Sequence, residues 1–373
     1  MRSHAQEHPQ AVKHLAPSVF GQFACAAGTC PDSCCRAGWE IVIDPETLAG
    51  YEKLPGPEGE RIRQAVRSGE EPLLRQDENR VCVLLDPDGL CCAQKRFGHE
   101  SLCRVCREYP RFHREFGNLT EHGISLSCPT AFALATAAPP AWEQWEDEAP
   151  IVPNDLDPER YLPLREGRDL ALKLLGDESR SLRERLILVY VLSERLQQGL
   201  DGQRRTGKLA CKRLSSSIGQ KAALRRYGRL RPYRGADVLG PWRGRRLDRW
   251  LGVFAGLEIL SPEWKDALQT LRRDPGQEAS GRRRPPRSEA SGEDAARRQE
   301  VYARYLWYSL YKYWLDAADD GRLLPRVRRS FAMTLLGQTM DRYVPKERSW
   351  LQRISREIEH CEENLARLLD LQE

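Results

Sequence analysis

The chain has 373 residues, 30% of them charged, with a net charge of +5 and twelve cysteines. That length suits about two domains of the usual ~100–200 residues. No apolar run nears the roughly 20 residues of a membrane span, and the opening MRSHAQEHPQAVKHLAP lacks the apolar centre of a secretory leader, so the expected setting is the cytoplasm with no membrane partner.

Residues 19–135 form a cysteine-rich unit, with ten of the twelve cysteines between Cys25 and Cys128. Trp39–Asp44 reads as a short strand, Pro45 opens a helix through about Leu54, and a second short helix is expected at 58–68. Val81–Leu85 and Ile124–Ser127 read as strands, and Asp86-Pro87-Asp88-Gly89 has the composition of a turn. Residues 136–160 are rich in Pro, Ala and acid and read as the connection to a mainly helical domain at 161–373.

In that second part, Leu182, Leu186, Val189, Leu192 and Leu196 share one helical face. An aromatic helix is expected at 300–315, and a last helix carries Trp350, Ile354, Ile358, Cys361, Leu365 and Leu368 on its apolar stripe. Segment 274–297 has no hydrophobic period and is expected to be disordered. The fold class expected is α+β: a small Cys-rich metal-binding domain followed by a mostly α-helical one.

The cysteines fall into Cys25-x4-Cys30-x3-Cys34-Cys35, then Cys82-x8-Cys91-Cys92, Cys103-x2-Cys106 and Cys128-Pro129. In a reducing compartment such a cluster points to metal before disulfides. Thiolates suit zinc or iron–sulfur clusters, and composition leaves both open. Adjacent Cys34 and Cys35 point apart in an extended chain, so either one packs or they serve different centres. A radical-initiating three-cysteine motif is absent, because Ala37 stands at the third position.

Several stretches resemble the flagellin lysine-N-methylase (FliB) family, within the wider YkgJ-like CxxCxxCC cysteine-cluster proteins. They are Phe23-x-Cys25-x4-Cys30-x3-Cys34-Cys35-x2-Gly38-Trp39-x-Ile41-x-Ile43-Asp44, Asp88-Gly89-Leu90-Cys91, Cys106-x2-Tyr109-Pro110-Arg111 and Ser125-Leu126-Ser127-Cys128-Pro129. Ser355-Arg356-Glu357-x-Glu359-His360 with Asn364 is similar to the family's end. The resemblance implies an iron–sulfur cluster of the 4Fe-4S kind and S-adenosylmethionine-dependent methylation of flagellin surface lysines. It nominates Cys25, Cys30, Cys34, Cys35, Cys82, Cys91, Cys106 and Cys128 as family cysteines and leaves Cys92 and Cys103 outside the pattern.

Lysine methylation needs a neutral amine, while free lysine has a pKa of about 10.4. Tyr109, Glu121, His122 and His360 are the candidates for relieving it of its proton. Arg111 and Arg356 are candidates for the cofactor: Arg111 is able to offset thiolate charge or hold a carboxylate, and Arg356 shares a helix face with His360 that can line a substrate or cofactor site. No glycine-rich loop of the Rossmann kind is present. Cys361 reads as core packing and Cys211 as a plain thiol.

Residues 204–250 hold 15 Lys/Arg against Asp237 and Asp248. Nucleic acid is the less favoured partner for this segment, behind an acidic protein surface. Two rival readings follow: a non-catalytic zinc or iron cysteine-cluster protein for metal handling or electron transfer, and a nucleic-acid-binding zinc protein.

Overall fold

A computed structural model of the chain describes residues 10–149, 155–202, 204–228, 245–272, 292–344 and 349–370. The fold is mixed α+β. Strand β1 (Gln10–Pro17) buries Val12 and Ala16 and exposes Ala11 and Lys13, a period-two pattern. Helix α1 (Val19–Gln22) follows it. Helix α2 (Pro45–Tyr51) starts where expected, because Pro45 suits a first turn and Asp44 Oδ1 accepts from Thr47 N at 2.9 Å. Helix α3 (Gly56–Gln64) leads into the small ribbon β2 (Val66–Arg67) and β3 (Leu73–Leu74). Two short helices follow, α4 (Cys92–Phe97) and α5 (Arg104–Glu108).

Strands β4 (Arg111–Phe116) and β5 (Leu119–Ile124) form a hairpin through Gly117-Asn118, with Gly117 at φ +64° as a two-residue hairpin requires. Helix α6 (Pro129–Ala137) and strand β6 (Trp142–Ala149) complete this part. The four-stranded sheet has the order β4-β5-β1-β6, with β1 parallel to β5 and antiparallel to β6.

The rest is helical: α7 (Pro158–Leu175), α8 (Leu182–Leu200), α9 (Arg204–Leu214), α10 (Ser217–Gly228), α11 (Arg245–Ala255), α12 (Pro262–Arg272), α13 (Gly292–Tyr313), α14 (Ala317–Asp320), α15 (Leu323–Tyr343), α16 (Trp350–Ile358) and α17 (Glu362–Leu369). Ser181 and Glu184 form a reciprocal capping box at the start of α8. No described helix is long and apolar enough to cross a membrane.

Several expectations are corrected. Trp39–Asp44 and Val81–Leu85 are not strands; each touches a neighbour only through isolated bridges, Val42 with Leu73, Cys82 with Gln76 and Leu85 with Cys91. The strand expected at Ile124–Ser127 lies earlier, as β5, because the Ser125 and Ser127 hydroxyls bond each other at 2.9 Å and turn the chain. Within 136–160, Trp142–Ala149 is an edge strand rather than a connection. Its acidic side chains are tolerated because an edge strand can point charge into solvent. Of segment 274–297, residues 292–297 open α13, and 274–291 lie outside the described residues, as does 229–244 of the basic segment.

The expected last helix is two helices. Asn364 Nδ2 donates to the carbonyls of Glu258 (3.1 Å) and Glu357 (3.4 Å), and the latter would otherwise serve Cys361 N in a continued helix. Cys361 is extended and half-exposed, so it is not a core residue. Cys211 is buried, and burial pushes its thiol up to about 11.

Two apolar cores result. A small one gathers Ile43, Tyr51, Ile62, Leu74, Leu84 and Leu102. The large one joins Phe23, Ile124, Leu126 and α6 to the helices, so the sheet side of the cysteine-rich unit shares its core with the second half. Across that junction Arg168 of α7 makes two bonds of 2.5 Å to Glu121 of β5, both side chains being at most 2% exposed.

Replacing Glu121 with Ala would strip the buried Arg168 of its bidentate partner and leave only the more exposed Asp169 carboxylate, 3.5 Å away. Denaturant titration should show a loss of about 3–5 kcal/mol, and the double variant Glu121→Leu/Arg168→Met should recover most of it. Asp44 gives a second expectation. Burial alone would raise its carboxyl, but bonds from Arg104 N and Thr47 hold it down at about 2. Its stabilisation is therefore full above the unfolded value of about 3.9 and fades as pH falls toward 2. Asp44→Ala should lower stability by about 0.5–2 kcal/mol at pH 7 and by much less at pH 2, measured by urea midpoints.

Candidate metal centre

Nine of the ten N-terminal cysteines line one cavity of about 270 Å³. Cys25 follows α1, and Cys30 leaves a single 3-10 turn (Ala27–Thr29). Cys34 and Cys35 begin another such turn, where Ser33 Oγ accepts from Cys35 N at 3.3 Å. Cys82 N donates to Cys35 O at 2.9 Å, which pins the 82 loop against the first group. Cys91, Cys103 and Cys128 sit at the N-caps of α4, α5 and α6, and Cys106 lies within α5. All eight family cysteines are thus brought together. Cys103, outside the pattern of the resemblance, joins them, and its pairing with Cys106 three positions on was the available signal. Cys92 is buried behind the wall.

Two glycines let the loops close. A Cβ on Gly28 would lie 2.9 Å from Asp88 O, and one on Gly89, at φ +80°, would lie 3.1 Å from Gly28 O. The Cys25–Cys30 loop and the turn before Cys91 therefore touch backbone to backbone. Cys25 and Cys34 are exposed residues, so the cavity opens on their side.

All twelve cysteines are free thiols. Burial pushes Cys82 up to about 12 and raises Cys91 and Cys128. Cys34 is raised by its hydrogen bond to Cys35 and then by burial, while the same bond lowers Cys35 to about 7. Cys106 and Cys103 repeat this pair, Cys106 raised and Cys103 lowered by their mutual bond. So many thiols in one place resist ionisation unless a cation balances them. Arg107 and Arg111 line the cavity, and Arg356 bears on Cys34. Soft donors, surrounding positive charge and a hollow to fill make a set that fits a thiolate-bound metal centre. Among the described residues, no three His, Cys, Asp or Glu groups gather tightly enough to grip a single ion.

The other candidates divide. Tyr109 lines the cavity, its hydroxyl 3.0 Å from Ser127 Oγ and its ring against Trp39; burial raises it far above the usual phenol range, so it is a neutral hydroxyl. Arg111 lies over the Phe23 and Phe20 rings at 5.0 and 5.6 Å and donates to Phe23 O at 3.0 Å. Arg356 reaches from α16 to Asp32 O (3.0 Å) and Ser33 O (2.7 Å), over the Trp39 ring at 5.2 Å, and Gln352 beside it donates to Ser127 O at 2.7 Å. The last helices do point back at the cysteine loops.

Glu121, His122 and His360 are not among the lining residues. Glu121 is locked to Arg168. His122 spends both ring nitrogens on neighbours, Nε2 to His14 Nδ1 at 2.8 Å and Nδ1 to His113 Nδ1 at 2.6 Å. Burial, then the charges of His113 and His14, lower it to about 4. His360 lies near Glu258 and Glu357. Asp32 and His99 are the titratable bases on the wall that motif reading missed, since neither sits in a distinctive spacing.

No protein-family model, no curated protein and no solved structure matches this chain.

Arg356→Ala should remove both carbonyl contacts, cost about 1.5–3 kcal/mol per charged hydrogen bond and speed the reaction of Cys34 with a thiol reagent. Arg356→Lys should fall between. An unchanged thiol rate in the Ala variant would show that the clamp does not restrain the loop.

Proposed function

We propose that this chain is an S-adenosylmethionine-dependent protein-lysine N-methyltransferase acting on flagellin, built on a cysteine-ligated iron–sulfur cluster. The observation that supports this reading most is the gathering of nine cysteines around one cavity, joined to the ordered family-like motifs that supply eight of them. The thiols ring a hollow instead of meeting at a point, an arrangement suited to a polynuclear cluster, whose thiolates bind different metals. Cys25, Cys30, Cys34, Cys35, Cys82, Cys91, Cys106 and Cys128 are the residues that would hold it, with zinc as the alternative. When bound, the cluster supplies Lewis-acidic iron.

The chain's own groups take the remaining tasks. Arg111 and Arg356 offset thiolate charge and offer guanidinium edges for the carboxylate of the methyl donor. Tyr109 contributes a neutral hydroxyl held by Ser127. Asp32, placed by Arg356 (3.4 Å) and Arg353 (3.7 Å), and His99 are the wall groups able to take the proton of the target lysine. The basic helices α9, α10 and α11 offer charge for an acidic flagellin surface, an attraction that salt weakens.

A second reading, a non-catalytic cysteine-cluster protein, is favoured by one observation: Glu121, His122 and His360 are all engaged or placed away from the cavity.

Mass spectrometry of flagellin from cells with and without the gene separates the two. Lysine methylation should vanish with the gene, return with the wild type and fail to return with Cys106→Ser. Identical lysine masses in both strains would leave the non-catalytic reading standing.

A further inference from the structure

Nine thiols are more than one four-thiolate centre takes. We propose that the cavity holds two thiolate-bound metal centres side by side, divided at the Cys34–Cys35 peptide. The first is held by Cys25, Cys30, Cys34 and Cys128. The second draws its four ligands from Cys35, Cys82, Cys91, Cys103 and Cys106. The proposal rests on the reading that this cavity binds metal and adds how many centres it binds and which sulfurs belong to each.

Packing carries the division. Cys103 belongs to the small core, with Cys82, Cys91 and Cys106 packed against it. Cys128 belongs to the large core with Phe23, two residues before Cys25. The cavity is thus the seam between two separately packed bodies, each bringing its own sulfurs. Cys34 and Cys35 stand on that seam. They share a 3-10 turn, in which successive side chains leave the axis a third of a turn apart, and their thiols bond each other across the seam. Cys35 is fastened to the second body by the bond from Cys82 N to Cys35 O. Cys34 follows Asp32 and Ser33, whose carbonyls Arg356 of the large body holds.

The neighbours of each sulfur agree. Tyr51 packs in the small core with Cys103, whereas Tyr109 packs against the large core that holds Cys128. Neighbouring cysteines that serve different clusters are a known arrangement in two-cluster ferredoxins. With two centres, Cys34 and Cys35 need not crowd one metal.

The test uses the full-length chain, reconstituted without oxygen with ferrous iron and sulfide and, separately, with zinc alone. Metal and sulfide per chain are counted, and reduced iron samples are examined by electron paramagnetic resonance. The wild type should load two centres of whichever metal it takes. Cys30→Ser/Cys128→Ser and Cys82→Ser/Cys91→Ser should each lose half of the metal, and the fourfold variant nearly all. Stepwise chelation of the wild type should release metal in two phases, which decides the matter should a variant aggregate. A wild type that saturates at one centre, or a pair whose loss removes all metal while the other removes none, would overturn the division and leave the single-cluster reading intact. A wild type that takes neither iron nor zinc would overturn both.

Discussion

Buried thiols resist losing their protons, and several of the thiols around the cavity are held in that state. Raised values at Cys82, Cys91 and Cys128 record it. The surroundings answer with positive charge, from Arg107 and Arg111 on the wall and Arg356 from the far end of the chain. The apolar support beneath is thin, since Ile43, Tyr51, Ile62 and a few neighbours are all that the small core offers. A body of that size is marginal alone. A metal centre on one side and the helical body on the other are the two supports that chemistry makes available to it.

The sheet supplies the second support. Two of its strands, β4 and β5, belong by sequence to the cysteine-rich unit, yet the sheet packs on helices. Tyr311 donates to His122 O at 2.8 Å, Trp142 meets Trp307 and Tyr311, and Glu121 is buried on Arg168. Residues that looked like proton-transfer groups in the sequence are therefore the fasteners between the halves. A carboxylate beside a histidine is ambiguous in one dimension, because a buried ion pair and a general base use the same residue types.

Legibility in the sequence followed the range of the forces involved. Local signals were dependable: Pro45 after Asp44, the 182–196 stripe and the Asp86–Gly89 turn all depend on neighbours a few residues away. The clustering of ten cysteines between Cys25 and Cys128 was legible for a different reason, as residue type and spacing name a soft-donor set wherever the chain places it, while the choice of eight came from the resemblance alone. Pairings across long separations were not legible. Strand β6 reads as an acidic loop because its strandness comes from β1, more than a hundred residues earlier. Cys361 reads as core because its period continues a helix that Asn364 ends by taking a carbonyl.

The contact between Arg356 and Asp32 joins residues 324 positions apart. Chains emerge from the ribosome N-terminus first, at about 5–20 residues each second. Every cysteine of the cavity is therefore made well before the helix that restrains its mouth. During synthesis the thiols stand in a basin lacking its last wall. Once α16 arrives the same loops are held from above. Gathering of the thiols and closure over them are thus separated in time by the order of the sequence itself, and a chain truncated before α16 would keep its thiols while losing the restraint that holds their loop in place.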